Sequence, residues 1–586
     1  MNPWTWVLVG LLAYWGALTA LRSRLPEYVG TMGPIVTIHT KRGRDLIDRI
    51  ASPKRLWRLW GNFGLGVALV VLVGLFALLL QNAISVVRNP PAPTPANQPQ
   101  NFLVIPGVNE FLPLAVAPEI VFGLFVGMVV HEGGHGILSR VEDIEISSMG
   151  VALLAILPIG AFVEPDEESV AESDRGSRAR MFAAGVSNNF LVTVLAFGLL
   201  FGPVVGSIAV ADGAAIGGSF PGSPADRAGI DRGDLIVSVG GEPITSNQDL
   251  GETLASIPEE TVPVTLGNGE TVTVDRSVLV TGMAPQSPFS AIGVNQTIVA
   301  VNGTSVGSEN RFLEALHNRT VVTLTTADGT TATGPAGALV TVAADEPAAE
   351  SGMPADSTLV VTRIDGARVY SADSLSTVLD RHPPGSTVSV EVMADGERRT
   401  YNVTLGEQAD GSSFLGVRVY RGVSGMVVSD FGTRLYPADA YRGLLGGEAG
   451  GSGIAGFVRS VGFALILPLV GTIGLGGLEY NFAGFVGWNV DFFVVQGPLA
   501  PLGDGVFLLA NLLFWTGWIN LNLGVFNCIP AFPLDGGHLL RTMAESVVSR
   551  LPVSDRRLAT RTVTTTVGVT MLLALVLMLF GPQLLR

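Results

Sequence analysis

Long apolar stretches alternate with polar segments along this chain, and one large polar block separates the first four stretches from the last three. A helix needs about 20 mainly apolar residues to cross the hydrocarbon core of a bilayer. The pattern therefore predicts a multi-span α-helical membrane protein. The seven predicted spans cover residues 4–21, 60–87, 112–138, 179–205, 454–473, 506–529 and 563–580.

Residues 149–163 are also apolar, but Gly150, Pro158 and Gly160 interrupt them. The segment is too short and too broken for a spanning helix. Irregular backbone is tolerated at membrane depth only where protein buries it or where it lines a cavity. We therefore predict a re-entrant hairpin between the third and fourth spans.

Basic residues at the span ends predict the orientation. Nine of them lie from Arg22 to Arg58, and the positive-inside rule places that segment in the cytoplasm. No basic residue precedes the first span, which we expect to be uncleaved with its N-terminus outside. Counting spans then places the polar block outside the cell. One conflict stays open: either 482–495 crosses back, or 454–473 does not cross once.

The polar block at 208–420 contains an internal repeat. Three similar stretches, 223–244, 287–303 and 351–366, each predict a turn, an alternating strand and a glycine turn. Their closing glycines recur at intervals of 62 and 63 residues. The repeat predicts several small β-rich modules of one type.

The repeats resemble PDZ modules, which bind an extended peptide by strand addition along a groove. The first copy, Ser223-Pro-Ala-Asp-Arg-Ala-Gly-Ile followed by a strand that ends at Gly240-Gly241, matches that signature well. The interval is short for a full module, so the middle copy is degenerate or only two modules are complete. A β-rich spacer without a ligand is the alternative interpretation.

Composition narrows the function. The net charge of −15 excludes a typical nucleic-acid binder. Lys41 and Lys54 are the only lysines among 35 basic residues, which indicates either a salt-adapted (halophilic) organism or a GC-rich genome. The one cysteine, Cys528, allows neither an internal disulfide nor a cysteine-based metal site.

An HExxH motif, His131-Glu132-Gly133-Gly134-His135, lies near the end of the third span. Helical spacing places the two histidines on one face, where their imidazoles can hold one Zn²⁺. Glu132 is then placed to take a proton from a water on the metal. Ionisable groups are costly in membrane helices, which favours a functional interpretation over a histidine pair in a polar cavity or haem site.

A third ligand must come from elsewhere in the membrane region, with the fourth position left open for water. Three of the other four histidines fall in soluble segments, which leaves His538 and the nearby Asp535. Pro530 and Pro533 break the helix that precedes them, and such a break inside a protein-lined cavity lets Asp535 reach back to the metal. We predict Asp535 as the ligand and His538 as a supporting or helix-capping residue.

Together, HExxH and the segment from Asn527 through Pro530 to Asp535-Gly536 resemble the site-2 protease family, which joins HExxH to a later Asn-x-x-Pro…Asp-Gly motif. The family also carries Ala-Gly-Pro-x-x-Asn. Here Asn189 fits that motif, but Val186 replaces the proline. The segment 160–163 and an inserted PDZ block also fit, and the resemblance covers 112–207 and 421–586.

The resemblance implies an intramembrane zinc metalloprotease that cleaves transmembrane segments of membrane-anchored substrates. Zn²⁺ would be held by His131, His135 and Asp535, with Glu132 as the catalytic residue. Substrate binding is assigned to Asn189 and to Asn527. Asn527 is expected to donate to the substrate backbone or to the developing oxyanion, and the alternative is that it caps the broken helix.

Four regions are expected: an N-terminal membrane region at 1–111, catalytic halves at 112–207 and 421–586, and PDZ-like modules at 208–420. We expect a multi-pass cell-membrane protein with single-span substrates, surrounding lipid and a peptide ligand for the modules. The rival from another class is an inactive membrane scaffold that recruits partners through the modules. A zinc-dependent transporter or sensor, and a membrane zincin with a glutamate ligand, are further rivals.

Overall fold

The structure, a computed structural model, describes residues 3–26, 28–91, 105–109, 111–155, 157–408 and 411–585, with the backbone alone for 3–8. Contacts divide the chain into two compact units. The first combines Met1–Ala209, Asp439–Val490 and Val495–Arg586, and the second combines Val210–Ala438 with Asp491–Val494. Most of the predicted linker at 89–101 lies outside the described residues.

The first unit begins with helices and one antiparallel sheet. Asp174 caps the helix α6 (Arg175–Leu199), where its side chain accepts the N–H groups of Gly176 and Ser177. The span of α6 continues to Ser207 through a π turn and a 3-10 turn, because Pro203 lacks the N–H that a regular helix needs. The elements are α1 (Pro3–Leu21), β1 (Val29–Met32), β2 (Ile35–His39), α2 (Lys41–Ala51), α3 (Lys54–Arg88), α4 (Ala117–Val141), β3 (Ile146–Leu154), β4 (Leu157–Pro165), α5 (Glu167–Glu172) and α6 (Arg175–Leu199).

The predicted hairpin at 149–163 is a pair of antiparallel strands, β3 and β4. It belongs to a four-stranded sheet in the order β1-β2-β3-β4. The strands β1 and β2 come from the basic segment between the first two predicted spans, so that segment is more than a loop. Strand β4 stands at the edge of the sheet. Its placement as a re-entrant element in the bilayer stays a prediction.

The second unit contains three six-stranded antiparallel sheets, one for each repeat. Their elements follow β5 (Ile208–Val210) along the chain. The first module holds β6 (Ala214–Ser219), α7 (Pro224–Arg227), β7 (Leu235–Val239), β8 (Glu242–Pro243), α8 (Asn247–Ser256), β9 (Thr261–Leu266) and β10 (Thr271–Asp275). The second holds β11 (Val278–Met283), β12 (Thr297–Val301), β13 (Thr304–Ser305), α9 (Glu309–His317), β14 (Val321–Thr326) and β15 (Thr331–Pro335). The third holds β16 (Ala338–Val342), α10 (Pro347–Glu350), β17 (Thr358–Ile364), β18 (Ala367–Arg368), α11 (Ala372–Leu379), β19 (Thr387–Ala394), β20 (Glu397–Thr404), β21 (Gly406–Glu407), β22 (Ser413–Phe414) and β23 (Val417–Val419).

The three modules are nested. Strand β23 completes the third sheet, and then β24 (Met426–Ser429) returns to the second sheet and β25 (Thr433–Leu435) to the first. The repeat interval is short because the first two modules each receive their last strand from the returning chain. The middle copy is therefore a complete sheet, and the predicted end of the block at residue 420 falls short of β24 and β25.

A buried ion pair ties the first two modules together. Arg276, in the connection from β10 to β11, donates to the Asp430 carboxylate, which lies in the connection from β24 to β25. The Arg276 guanidinium also donates to the carbonyls of Leu254 and Ile257 at 2.7 Å each. Asp430 accepts in addition the backbone N–H of Glu309, at the start of α9. The two connections between these modules, from β10 to β11 and from β24 to β25, thus meet in one hydrogen-bonded cluster.

The chain then returns to the first unit. Residues 482–495 form a 3-10 turn and a short strand rather than a helix, so a helical return crossing there is wrong. The physical reason is Asn489, which bonds the carbonyl of Gly484 and the N–H of Val486 and closes a turn. The last elements are α12 (Ala438–Leu445), α13 (Gly453–Ile466), α14 (Val470–Ile473), β26 (Phe493–Val495), α15 (Gly505–Asn527), α16 (Asp535–Val548) and α17 (Arg556–Leu584).

Six helical segments among the described residues are long and apolar enough to cross a membrane. This confirms a multi-span α-helical protein, although the side on which the modules lie stays a prediction. The first predicted span is also helical, as α1, but its first side chains lie outside the described ones. The six are Lys54–Arg88, Leu114–Val141, Arg175–Ser207, Gly453–Ile473, Gly505–Asn527 and Arg556–Leu584.

Candidate metal centre and active site

The two histidines of the HExxH motif lie one turn apart on α4 and face the same point. Their Nε2 atoms are 3.2 Å apart, and both residues are buried. Gly185 of α6 lies directly against the rings. A Cβ at that position would stand 2.7 Å from His135 Nε2 and 2.8 Å from His131 Nδ1. A glycine there therefore lets α6 approach α4 closely enough to enclose the imidazoles.

Asp535 reaches the histidines from the distant end of the chain. It is the first residue of α16, just after the turn that contains Pro530 and Pro533. Its Oδ2 atom lies 3.1 Å from His131 Nε2 and 3.2 Å from His135 Nε2. Gly536 packs so tightly behind it that a Cβ would meet the carbonyl oxygen of Ile529 at 2.3 Å. The break after α15 thus folds back compactly and presents the carboxylate, as the sequence predicts.

The three side chains fit a zinc ion. His131, His135 and Asp535 form a cluster whose ligand atoms all lie within 4.8 Å of one another. Zinc with bonds of about 2.0–2.1 Å holds tetrahedral ligand atoms roughly 3.3 Å apart, close to the 3.1–3.2 Å seen here. The buried Oδ2 of Asp535 has no hydrogen-bond partner in the described chain, which a cation would satisfy. Two imidazoles and a carboxylate leave a fourth tetrahedral position for water.

Groups behind the histidines fix their orientation. His135 Nδ1 lies 2.9 Å from the carbonyl oxygen of Met181, to which it donates, so Nε2 is left with its lone pair for a metal. His131 Nδ1 lies 3.3 Å from the side-chain amide of Asn189. That amide is fully buried, and its oxygen has no other partner among the described groups. Turning the amide over makes its oxygen the acceptor for the His131 N–H.

Glu132 connects the motif to the sheet. Its Oε2 accepts the backbone N–H of Val163, on edge strand β4, at 3.0 Å. Glu132 thus links the helical turn that carries the two histidines to the edge strand of the sheet. Neither the Val163 amide nor the Met181 carbonyl could be found from sequence, because both are backbone groups that any residue type supplies.

The remaining predicted residues lie outside the cluster of three. Asn527 donates to the carbonyl of Leu523 at 3.1 Å, within the last turn of its own helix, which is the capping alternative. His538 stacks on Phe182 with ring centres 4.3 Å apart and meets the edge of Phe532 at 5.0 Å. His538 is thus held by aromatic rings, and it supports α16 without joining the ligand atoms.

Comparison with known proteins agrees with this geometry. The profile of peptidase family M50 matches residues 119–575, a stretch that contains all three ligands and Glu132. An uncharacterized protein of Methanocaldococcus jannaschii is 27% identical over 258 residues, which are 42% of this chain and 62% of that protein. A protein of Rhizobium meliloti named as a candidate zinc metalloprotease is 28% identical over 187 residues, 25% of this chain and 49% of that protein. The chain thus spans about half to three-fifths of these relatives.

Among solved structures, the PDZ domain of an SdrC-like protein from Listeria monocytogenes is 22% identical, with a TM-score of 0.14, and covers 15% of this chain and 90% of that one. The family match covers well over half of the sequence and includes both motifs that carry the resemblance to the site-2 proteases. The predicted family is confirmed: the chain belongs to peptidase family M50.

Proposed function

We propose that this protein is a zinc metalloendopeptidase that hydrolyses peptide bonds within transmembrane segments of membrane-anchored substrates. The observation that carries the proposal is the triangle formed by His131, His135 and Asp535. It joins α4 to α16, and α4 is one of the helices long enough to cross a bilayer. A scaffold has no need to hold two buried histidines and a partly buried carboxylate together at such a place.

The chain's own residues would perform the proton transfers. Zn²⁺ in this ligand set would supply Lewis-acid chemistry and lower the pKa of a water molecule to about 7. Glu132 takes the proton from the attacking water and delivers it to the leaving amine. Met181 and Asn189 hold the histidines in the tautomer that presents Nε2, a positioning role that we now favour for Asn189 over direct substrate contact.

Substrate access follows from the sheet. A transmembrane helix keeps its carbonyls in its own hydrogen bonds, so a substrate must unwind before attack. We propose that the unwound peptide pairs with edge strand β4, which offers an open row of backbone groups. A peptide that accepts the Val163 N–H would take it from Glu132 and free that carboxylate for proton transfer.

The test uses proteoliposomes with a single-span substrate. Glu132→Gln keeps size and shape but cannot take a proton, so we expect wild-type zinc content with cleavage lost. Phenanthroline should stop the wild-type enzyme, and mass spectrometry of the products should place the cut within the span. A Glu132→Gln protein that cleaves normally would refute the proposal. A Glu132→Gln variant that fully replaces the wild-type protein in cells would favour the scaffold hypothesis.

We further propose that the third module receives the peptide ligand. A cavity of about 590 Å³ lies between α11 and β23, with Leu375, Leu379 and Val419 among its lining residues. Strand β23 is one of the two edge strands of its sheet, the other being β20. The backbone N–H groups of Leu415 and Gly416, at the end of this groove, donate to no group in the described chain. Both N–H groups can donate to a terminal carboxylate in the way that backbone nests do.

The first two modules are less suited to that role. In the first module, the loop before β25 carries Asp430, whose buried ion pair with Arg276 fills that end of the sheet. The third module alone has an uninterrupted connection from β20 to its last strand. A fluorescent peptide with an apolar end should bind the full chain and lose affinity when Val419 becomes glutamate, and Val299→Glu in the second module is the control. Equal binding of the amidated peptide would contradict carboxylate recognition.

A further inference from the structure

A cavity of about 720 Å³ between α16 and α17 is surrounded by arginines. It lies in the membrane unit of a chain whose net charge is −15, so such a concentration of positive charge is unusual here. One acidic residue, Glu545, faces it. The basic residues around the cavity are Arg175, Arg541, Arg556, Arg557 and Arg561.

The arginines at the start of α17 are not neutralised by the part of the chain that the structure describes. Arg556, Arg557 and Arg561 occupy the first two turns of the helix and form no ion pair with any described residue. The N-terminal end of a helix carries partial positive charge, which the capping carboxylate of Asp555 offsets only in part. Three guanidinium groups there repel the helix dipole as well as one another. An anion in the cavity would relieve both repulsions.

The one carboxylate at the cavity does not neutralise it. Glu545 pairs with Arg178 at 2.8 Å and with Arg541 at 3.3 Å, and it lies 4.0 Å from Arg175. Its charge is thus already shared among three guanidinium groups. The cavity keeps a positive excess that calls for an external anion.

The other lining residues indicate a ligand with an apolar part. Phe532 is 52% exposed, and Val548 lines the wall beside it. Thr560, Thr564 and Thr565 also line the cavity, and the Thr564 hydroxyl donates to the carbonyl of Thr560 at 3.0 Å. Below them α17 continues as an apolar span to Leu584. The cavity therefore lies at the boundary between a charged face and a membrane-spanning segment.

We propose that this cavity binds the phosphate headgroup of an anionic phospholipid. The guanidinium groups pair with the phosphate, and the acyl chains continue along the apolar part of α17. The headgroup would join α17 to α16, the helix whose first residue is the ligand Asp535. Lipid binding does not depend on the proposed peptidase activity. Only if the proposed function is correct would the bound lipid also help to hold Asp535 in place as a zinc ligand.

The test measures thermal unfolding of the full chain in a zwitterionic detergent. The added probes are dihexanoyl-phosphatidylglycerol, dihexanoyl-phosphatidylcholine and inorganic phosphate. We expect a saturable rise of the unfolding midpoint with the phosphatidylglycerol alone. A triple variant that changes Arg556, Arg557 and Arg561 to glutamine should weaken that binding about a hundredfold, since each arginine near an anionic lipid is worth about fivefold.

The control removes three arginines from the basic segment between Arg22 and Arg58, by changing Arg42, Arg49 and Arg55 to glutamine. It should bind the lipid as the wild type does. Equal weakening in both triples would show a general charge effect and overturn the site. Inorganic phosphate as effective as the lipid would show a soluble-anion site instead. If the first triple fails to fold, Arg561→Gln alone should weaken binding about fivefold, and native mass spectrometry should count one retained lipid per chain.

Discussion

The fit of α6 against the metal ligands makes Gly185→Ala a sharp test of the site. The added Cβ would stand 2.7–2.8 Å from three ring atoms of His131 and His135, whereas ordinary contact begins near 3.4 Å. The imidazoles would have to retreat by roughly 0.6–0.7 Å, about three times the tolerance of zinc–ligand distances. We expect zinc affinity to fall tenfold to a hundredfold, which is a loss of about 1.4–2.7 kcal/mol in binding free energy. That is the range seen when groups that position metal ligands are changed.

Competition with a chromophoric chelator measures that affinity on purified protein, and elemental analysis gives the zinc content. Gly133→Ala is the matched control, because a Cβ at Gly133 has nothing within 4 Å although it lies inside the HExxH motif. It should bind zinc as tightly as the wild type. A Gly185→Ala protein with unchanged zinc affinity would refute the close enclosure of the ligands by α6.

Three further predictions follow from the same contacts. Asp535→Ala should lose zinc in elemental analysis, whereas His538→Ala should keep it, because only the carboxylate lies against both imidazoles. Asn189→Ala should weaken zinc binding about tenfold to a hundredfold in chelator competition, since it frees the His131 ring, and Asn189→Asp should restore much of it. Burial and the Asp430 carboxylate raise the pKa of Glu309 to about 7 from an ordinary value near 4.5, so its folded form loses stability as the pH rises through that range. Glu309→Gln should therefore leave stability unchanged below pH 4.5 and raise it by roughly 1–3 kcal/mol above pH 7, measured by hydrogen exchange of the modules in the full chain.

Much of the membrane region could be predicted because its signals are local. Apolar length alone predicts the helices, and HExxH places His131, Glu132 and His135 on one turn of α4. The Asp535 position followed from a proline-broken helix near the end of the chain, where Pro530 and Pro533 end one helix before the next begins.

Other features depend on contacts that span long distances in the chain. Strands β24 and β25 are short and return to sheets that begin more than a hundred residues earlier, so no periodicity reveals them. The strands β1 and β2 are hidden in a segment whose charge signals only orientation. Asn189 was assigned to substrate from a motif, but its burial behind His131 depends on how closely α6 packs on α4.

The most direct test of the central claim is X-ray absorption at the zinc K-edge on the purified wild-type protein. We predict one zinc per chain with nitrogen and oxygen neighbours at about 2.0 Å and the scattering pattern of two imidazoles. A sulfur neighbour in the coordination shell of the zinc would implicate Cys528. A shell without the scattering of two imidazoles would show that His131 and His135 are not the metal ligands. Either result would contradict the site described here.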